Sequence, residues 1–565
     1  MSTELLAIVF TYALTVILAI PLGIYISNVY KGESSLLNVM APLEKFIFRI
    51  SSIDPNKQMN WKQHLIALLT INMVWFVLAM LILMNQGWLF LNPDLNPSMS
   101  PDLAFNTSIS FLVNCNLQHY SGETGVSYFS QLSVILFLQF VSAATGMAAV
   151  VVLFKAFQNK TTDALGNFFQ YFVITCTRIL LPLSFIIAII LVFNGTPASF
   201  LGKDSYTSMQ GEHIEVSRGP AAGIIAIKHL GTNGGGWFGV NSAHPLENPN
   251  FITNTLELVI QVLIPIALIF AFGYFINRKK LAWSIYLVMT VGFLLLVIPA
   301  MYFELHGNTE IMKMGIDQSL GSMEGKEVRF GAASSAYWSV VTTIISTGSV
   351  NCMHDSLTPM TGMITMLGMM VNAFYGGCGV GILNYFTFFV ITVFIAGLMV
   401  GRTPELLGRK LEAREVKIAI IIALLHPFII LVPTALAAFG ITQHPEYGWL
   451  NNPSFHGFSE MLYEYTSSAA NNGSGFEGLG DNTPWWNIST GIVLLLGRFL
   501  PIIGPIAIAG LLASKKYIPE SAGTLKTDSV TFACTTLAVI IIIAALSFFP
   551  ALVLGPIAEF FTMTP

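Results

Sequence analysis

Four times along this chain a short amphipathic segment runs into two or three Ser, Thr or Asn residues and then Asn or Gly, with long apolar runs on either side. The segments are Phe105 to Asn116, Ala221 to Gly234, Ser334 to Gly348 and Phe458 to Gly473. Each is followed by acid: Glu123, Glu247, Asp355, and Glu477 with Asp481. Asn116, Gly234, Gly348 and Gly473 stand 118, 114 and 125 positions apart, which predicts four diverged copies of one unit of about 120 residues. Four such loops can meet around a single axis.

The solvent of this chain is lipid. Only 10% of its 565 residues are charged and the mean hydropathy is +0.69, against about 25% charged residues in soluble domains. Apolar runs long enough to cross a bilayer are expected at about 5–30, 64–86, 128–154, 166–194, 251–277, 282–303, 358–401, 416–438, 488–513 and 528–553. The first has no basic residue before it and Lys31 after it, so it reads as a retained span with its N-terminus outside. Placing odd spans out-to-in puts 18 of the 26 basic residues on one side, which fixes the orientation and places both termini outside. LEKFIFRI, between Lys31 and Lys62, is expected to lie along the membrane surface. No basic patch with interleaved aromatics points to nucleic acid. The five cysteines have no metal or redox spacing and read as small buried apolar residues.

The fold class expected is an all-α polytopic membrane protein: ten transmembrane helices and four helix–pore-loop–helix units around a central pore. The divisions are 1–62 (first span and cytoplasmic loop), 63–157, 158–281, 282–415 and 416–515 (the four pore units), and 516–565 (last span). The loops descend from outside, and irregular backbone at membrane depth is tolerated only in a watery cavity or buried in protein. A dehydrated monovalent cation needs a cage of oxygens, which four loops of carbonyls can supply. Short helices ending at the loops direct their partly negative C-termini at the ion. The expected lining is Asn114, Cys115 and Asn116; Thr232, Asn233 and Gly234; Ser346, Thr347 and Gly348; and Asn471, Asn472 and Gly473. One Gly or Asn per loop, where tetrameric potassium channels carry TVGYG, implies fewer sites in series and tight binding over fast conduction. The following acids are expected to make the outer mouth negative. His229, His244 and His354 read as hydrogen-bonded loop residues. GTNGGG lacks the GK[ST] ending of a phosphate cradle.

Two features stand apart from the loops. Pro359 to Gly401 is an apolar stretch of 43 residues; as one helix it would span roughly 64 Å, against a hydrocarbon core near 30 Å. It must break, and Gly376, Gly377, Gly379 and Gly381 mark an irregular loop expected to form a constriction below the third filter segment. Arg498 lies inside a span, where a charge is costly and marks function by default. It is expected to brace the loops or to form a positive barrier beneath them. Arg178 is a weaker second case, nearer an anchor.

FNTSISFLVNCN, GTNGGGWFGVNSAHPLENP, STGSVNCMHDSLTP, AGLMVGRTPE and SSAANNGSGFEGLG together resemble the A subunit of the bacterial Kdp potassium-transporting ATPase, essentially end to end. That resemblance implies a fold related to potassium channels and Trk/Ktr transporters. It also implies high-affinity binding of external K⁺ and a site in the bacterial cytoplasmic membrane. The implied partners are a P-type ATPase subunit (KdpB-like), a single-span accessory subunit (KdpC-like) and a small KdpF-like peptide, with no organic cofactor. The family's filter carries over to the twelve loop residues above, its entrance glutamine to Gln118 and its ninth-span arginine to Arg498. The family's first loop reads TNTNWQ where this chain has VNCNLQ, so Cys115 keeps the carbonyl but lacks the hydroxyl. The sequence has neither a DKTG phosphorylation motif nor a Walker A motif and is read as the non-catalytic subunit. The alternatives are a stand-alone K⁺ channel or Ktr/Trk-type transporter, and a polytopic membrane enzyme using His354 and Asp355.

Overall fold

In the computed structural model, residues 3–33, 36–519 and 525–563 are described. In chain order the principal helices are α1 (Thr3–Lys31), α2 (Ala41–Ile50), α3 (Trp61–Leu83), α4 (Pro101–Leu112), α5 (Tyr128–Gln158) and α6 (Phe168–Phe193). There follow α7 (Ala221–Leu230), α8 (Phe251–Phe275), α9 (Lys279–His306), α10 (Gly331–Ile344) and α11 (Pro359–Val371). The last are α12 (Val380–Met399), α13 (Ala413–Gln443), α14 (Phe455–Ala470), α15 (Pro484–Ala513) and α16 (Val530–Leu552), which continues to Met563.

Among the described residues ten helices are long and apolar enough to cross a membrane. The four short helices α4, α7, α10 and α14 are not. At 10 to 16 residues they extend about 15–24 Å, short of the ~30 Å core. Each descends between two spans and stops at a polar loop, so the unit is span, short helix, loop, span.

Local sequence sets these boundaries. Asn60 and Asn250 close capping boxes with Gln63 and Thr253 at the starts of α3 and α8. Pro101 and Pro484 open α4 and α15, where a missing N–H costs nothing. Asn471 ends α14 in a left-handed conformation, and Asn372 ends α11 in the same way.

Burial follows position around the axis. α5 and α8 are almost wholly buried, whereas α1 turns Leu6, Val9, Phe10 and Ile17 outward at 53–65% exposure, the lipid-facing pattern of a peripheral span. α1 docks on α8 through a small residue: a β-carbon at Gly23 would lie 2.5 Å from the Ala267 carbonyl oxygen. The surface segment forms α2, with Leu43, Phe46 and Ile50 exposed on one side. Its Glu44 grips Arg178 through Nε and Nη2 at 2.6 and 2.5 Å, so that arginine is an anchor for α2.

Two small departures from an all-helical reading occur outside the spans. Asp204–Thr207 pairs with His213–Val216 as an outer hairpin, and Glu405–Leu406 pairs with Arg409–Lys410 on the opposite side. Cys115, Cys352 and Cys378 are buried as expected, but Cys534 is exposed on a lipid-facing helix surface.

Candidate ion-binding site

The twelve loop residues meet at one place. In every loop the first and third positions have left-handed backbone: Asn114 and Asn116 (φ 64° and 56°), Thr232 and Gly234 (52° and 107°), Ser346 and Gly348 (56° and 88°), Asn471 and Gly473 (51° and 107°). Cys115, Asn233, Thr347 and Asn472 sit between them with ordinary φ. Alternating left- and right-handed residues turn successive peptide carbonyls to the same side of the chain, the arrangement of an oxygen-lined passage.

Close approaches close the loops into a ring. A β-carbon on Gly234 would lie 2.2 Å from the Thr347 carbonyl oxygen, 2.8 Å from that of Cys115 and 3.1 Å from that of Asn472. One point on the second loop therefore faces carbonyls from the other three. A β-carbon on Gly348 would meet Asn472 O at 2.2 Å, and one on Gly473 would meet Cys115 O at 2.0 Å. The first loop reaches the second through Asn116, whose Nδ2 donates to Gly235 O at 2.8 Å. The order around the axis is first, second, third, fourth, and back to the first.

Buried amides hold the ring from behind. Asn114 Nδ2 donates to the carbonyls of Gly231 and Thr232, while its Oδ1 accepts from Asn233 Nδ2 and from the Ser142 hydroxyl. Gln139 Nε2 donates to Gly235 O, and Asn472 Nδ2 to Thr342 O. Gln118 stands above the ring. Its Nε2 donates to Gly236 O at 3.0 Å and its Oε1 accepts from Gly236 N at 2.8 Å, an amide clasp between first and second loops. These groups are committed to the scaffold, which leaves backbone oxygens to face the axis.

The Gly-rich break lies directly beneath. α11 stops at Val371 and α12 begins at Val380. Between them Asn372, Tyr375, Gly376 and Gly379 take positive φ. A β-carbon on Gly377 would be 3.4 Å from the Thr232 hydroxyl oxygen, the same hydroxyl that accepts from Cys378 N at 3.0 Å. Gly379 is pressed on α5, where a β-carbon would meet Gly146 O at 2.1 Å, and one on Gly381 would meet Tyr375 O at 1.8 Å. A narrow pocket under the ring is bounded by Asn114, Ser346, Asn471, Gly377, Asn384 and Arg498 among others. Arg498 is 4% exposed and its Nη2 donates to Ser142 O at 3.0 Å. Among the described residues no carboxylate lies within ion-pair distance of it. A positive charge thus stands on the inner side of the four loops, one residue removed from the amides that hold them.

Residues 9–561 match the family described as the potassium-transporting ATPase A subunit, KdpA. The chain belongs to this family. Relatives in Flavobacterium johnsoniae (66% identical, covering all of both chains), Bacteroides thetaiotaomicron (59%, 99% of each) and Geobacillus kaustophilus (45%, 98% of each) are named potassium-transporting ATPase potassium-binding subunit. Among solved structures, the potassium transporter TrkH from Vibrio parahaemolyticus superposes with a TM-score of 0.50 at 12% identity, over 89% of this chain and 96% of that one. That likeness concerns the fold.

For this KdpA-family chain, several mouth residues differ from expectation. Glu247 does not face the mouth: it is fully buried against the equally buried Lys228, nineteen residues earlier on the last turn of α7. Asp355 is 7% exposed and bonded to His456. Glu123 accepts from Gly239 N, and Glu477 from the backbone N–H groups of His354 and Asp355, so these acids pin neighbouring loops together. His354 is fully buried with its Nδ1 on the Tyr463 hydroxyl. His229 faces Glu257 at 3.3 Å and His244 stacks on Phe238.

His119, next to Gln118, escaped the sequence reading. Its Nδ1 meets Asn487 Oδ1 at 2.6 Å and its Nε2 meets Glu464 Oε1 at 3.2 Å. Burial works against its charge, but Asp481 and Glu464 outweigh that and raise its pKa to about 9. Gln139 and Ser142 were missed as well. The available signal was a row of polar residues about one helical turn apart, Gln139, Ser142 and Thr145, inside a mostly apolar span.

Proposed function

We propose that this chain binds external K⁺ in the four-loop ring and hands it, beneath the ring, to a separate ATP-hydrolysing subunit. Family membership makes the chain the potassium-binding component of an ATP-driven potassium importer. The carbonyl oxygens of Cys115, Asn233, Thr347 and Asn472 form the oxygen cage, flanked by the residues on either side of them in each loop. Gln118 guards the entrance. The observation that carries this reading is the convergence of three foreign carbonyls on Gly234.

The Gly376 to Gly381 break acts as the constriction that keeps ions from running straight through, and Arg498 adds a positive barrier in the same layer. A P-type ATPase subunit, a single-span subunit and a small single-helix peptide complete the complex, and this chain contributes no catalytic residue. It resides in the bacterial cytoplasmic membrane with both termini outside. We divide the chain into its units at about 62, 157, 281, 415 and 515, positions that lie within two residues of a helix end.

Flux through the purified chain in liposomes tests the reading. The chain alone is expected to pass little K⁺, with uptake restored by the ATPase partner and ATP. Rapid K⁺-selective flux from the chain alone would favour a stand-alone channel.

A further inference from the structure

On the outer side, away from the ring, three elements bring a second set of donors together. Asp355 follows the third filter segment. His456 and Glu460 lie one turn apart on the same face of α14, and Glu559 comes from the end of the last span. Asp355, His456 and Glu460 each present one ligand atom, and these atoms lie within 4.8 Å of one another. We propose that Asp355, His456 and Glu460 bind a divalent transition metal of the zinc class, with Glu559 orienting the histidine from behind.

Three observations carry this assignment. His456 meets Asp355 Oδ1 through Nε2 at 2.9 Å and Glu559 Oε1 through Nδ1 at 2.8 Å. A ligating imidazole characteristically donates its other N–H to a carboxylate, which fixes its tautomer and aims the free nitrogen at the metal. Second, Glu460 is fully buried and its Oε2 has no hydrogen-bond partner, a costly state for a carboxylate oxygen unless something positive meets it. Its Oε1 accepts only from the backbone and side-chain N–H groups of Asn452, at 3.1 and 3.3 Å. Third, three carboxylates surround one imidazole. Among the described residues no lysine or arginine lies within ion-pair distance of Asp355, Glu460 or Glu559. Two positive charges from a metal would neutralise the two ligating carboxylates.

The donor set then selects the ion. One nitrogen and two carboxylates, with a fourth position left for water, suit zinc-like ions in a tetrahedral site. Calcium and magnesium favour six or more oxygens. On binding, the metal takes the Nε2 lone pair, any proton carried there passes to solvent, and Asp355 changes from hydrogen-bond acceptor to ligand. The result is a clasp between the third and fourth units and the C-terminal span, outside the ion path.

The test uses the untagged full-length chain in detergent, stripped with chelator and titrated with Co²⁺. Saturable binding of one Co²⁺ per chain is expected, with the intense visible d–d bands of a four-coordinate site that Zn²⁺ then abolishes. Glu460→Gln and His456→Ala are expected to remove the signal, while Glu559→Gln weakens binding about ten- to hundredfold at unchanged stoichiometry. His444→Ala, at an exposed histidine elsewhere on the surface, is expected to change nothing. Failure of the wild-type chain to produce those bands overturns the proposal, as does binding that survives Glu460→Gln in a chain that still unfolds cooperatively. Either result leaves an ion triad of Asp355, His456 and Glu559 as the whole content of the cluster.

Discussion

Gly234, Gly348 and Gly473 sit where a side chain fails twice. Their φ values lie between 88° and 107°, and a β-carbon on any of them would come within 2.2 Å of a neighbouring loop's carbonyl oxygen. Left-handed strain alone costs on the order of 1–3 kcal/mol, and an added carboxylate would also bind the ion from the wrong place. Gly234→Asp or Gly348→Asp is expected to raise the K⁺ concentration for half-maximal uptake about ten- to hundredfold and to reduce discrimination against Na⁺. Uptake kinetics across a K⁺ series, with and without Na⁺, check this.

Cys115 gives the opposite expectation. Its side chain belongs to an apolar cluster with Ile109, Val113, Leu117 and Leu494, while its carbonyl faces the second and fourth loops. The oxygen that matters is backbone, so Cys115→Thr is expected to leave K⁺ affinity within about twofold. The same uptake assay reads it. The convergence of the four loops was legible in the sequence because small polar residues at one spacing have a local cause, the left-handed turn that must follow each short helix. The fate of Glu247 was not. Its partner Lys228 is decided only when loop and helix close on one another, and an acid beside a polar loop reads in sequence as a solvated acid.

His119 adds a pH dependence at this scale. Its pKa in the folded chain is about 9, above the ordinary 6.5, so its charged form stabilises the fold fully below about pH 6.5. That contribution falls away as pH rises through about 9. Thermal unfolding of the wild type is expected to lose ground over this interval, and His119→Gln to follow a flatter curve. Parallel curves for the two proteins would contradict the ion pair.

Among elements, the seventh span is the one that breaks beside the four loops. Its need to break was readable from length alone, since 43 apolar residues cannot cross a bilayer as one straight helix. Its place below the third loop was read as well; its tie to the second loop was not, because the Cys378 N–H to Thr232 contact joins residues 146 positions apart. Gly379 combines φ 84° with an approach that puts a β-carbon 2.1 Å from Gly146 O. Gly379→Ala is therefore expected to displace the break from α5. K⁺ leak should rise, or ATP-coupled turnover should fall, by about tenfold with the ring intact. Leak and turnover in liposomes that both match the wild type would reduce the segment to a packing kink. The short helices were readable for a related reason. An apolar helix of ten residues between two full spans is too short to cross and must stop inside.

At the scale of the whole molecule, four units from one polypeptide make one axis. A single chain lets each loop differ, which four identical subunits cannot do. Only the first loop carries Asn instead of Gly at the third position, and that Asn116 side chain ties it to the second loop. The positive Arg498 likewise appears once, below the ring. Such asymmetry suits a binding site that delivers its ion to one side. The direct measurement is a density map of the chain in Rb⁺ or Tl⁺, heavier stand-ins for K⁺, with the ion located by its scattering. An ion is expected on the axis, ringed by the carbonyl oxygens of Cys115, Asn233, Thr347 and Asn472, and absent from Gly234→Asp. Heavy-ion density only at the outer mouth, with none between the four loops, would contradict the account.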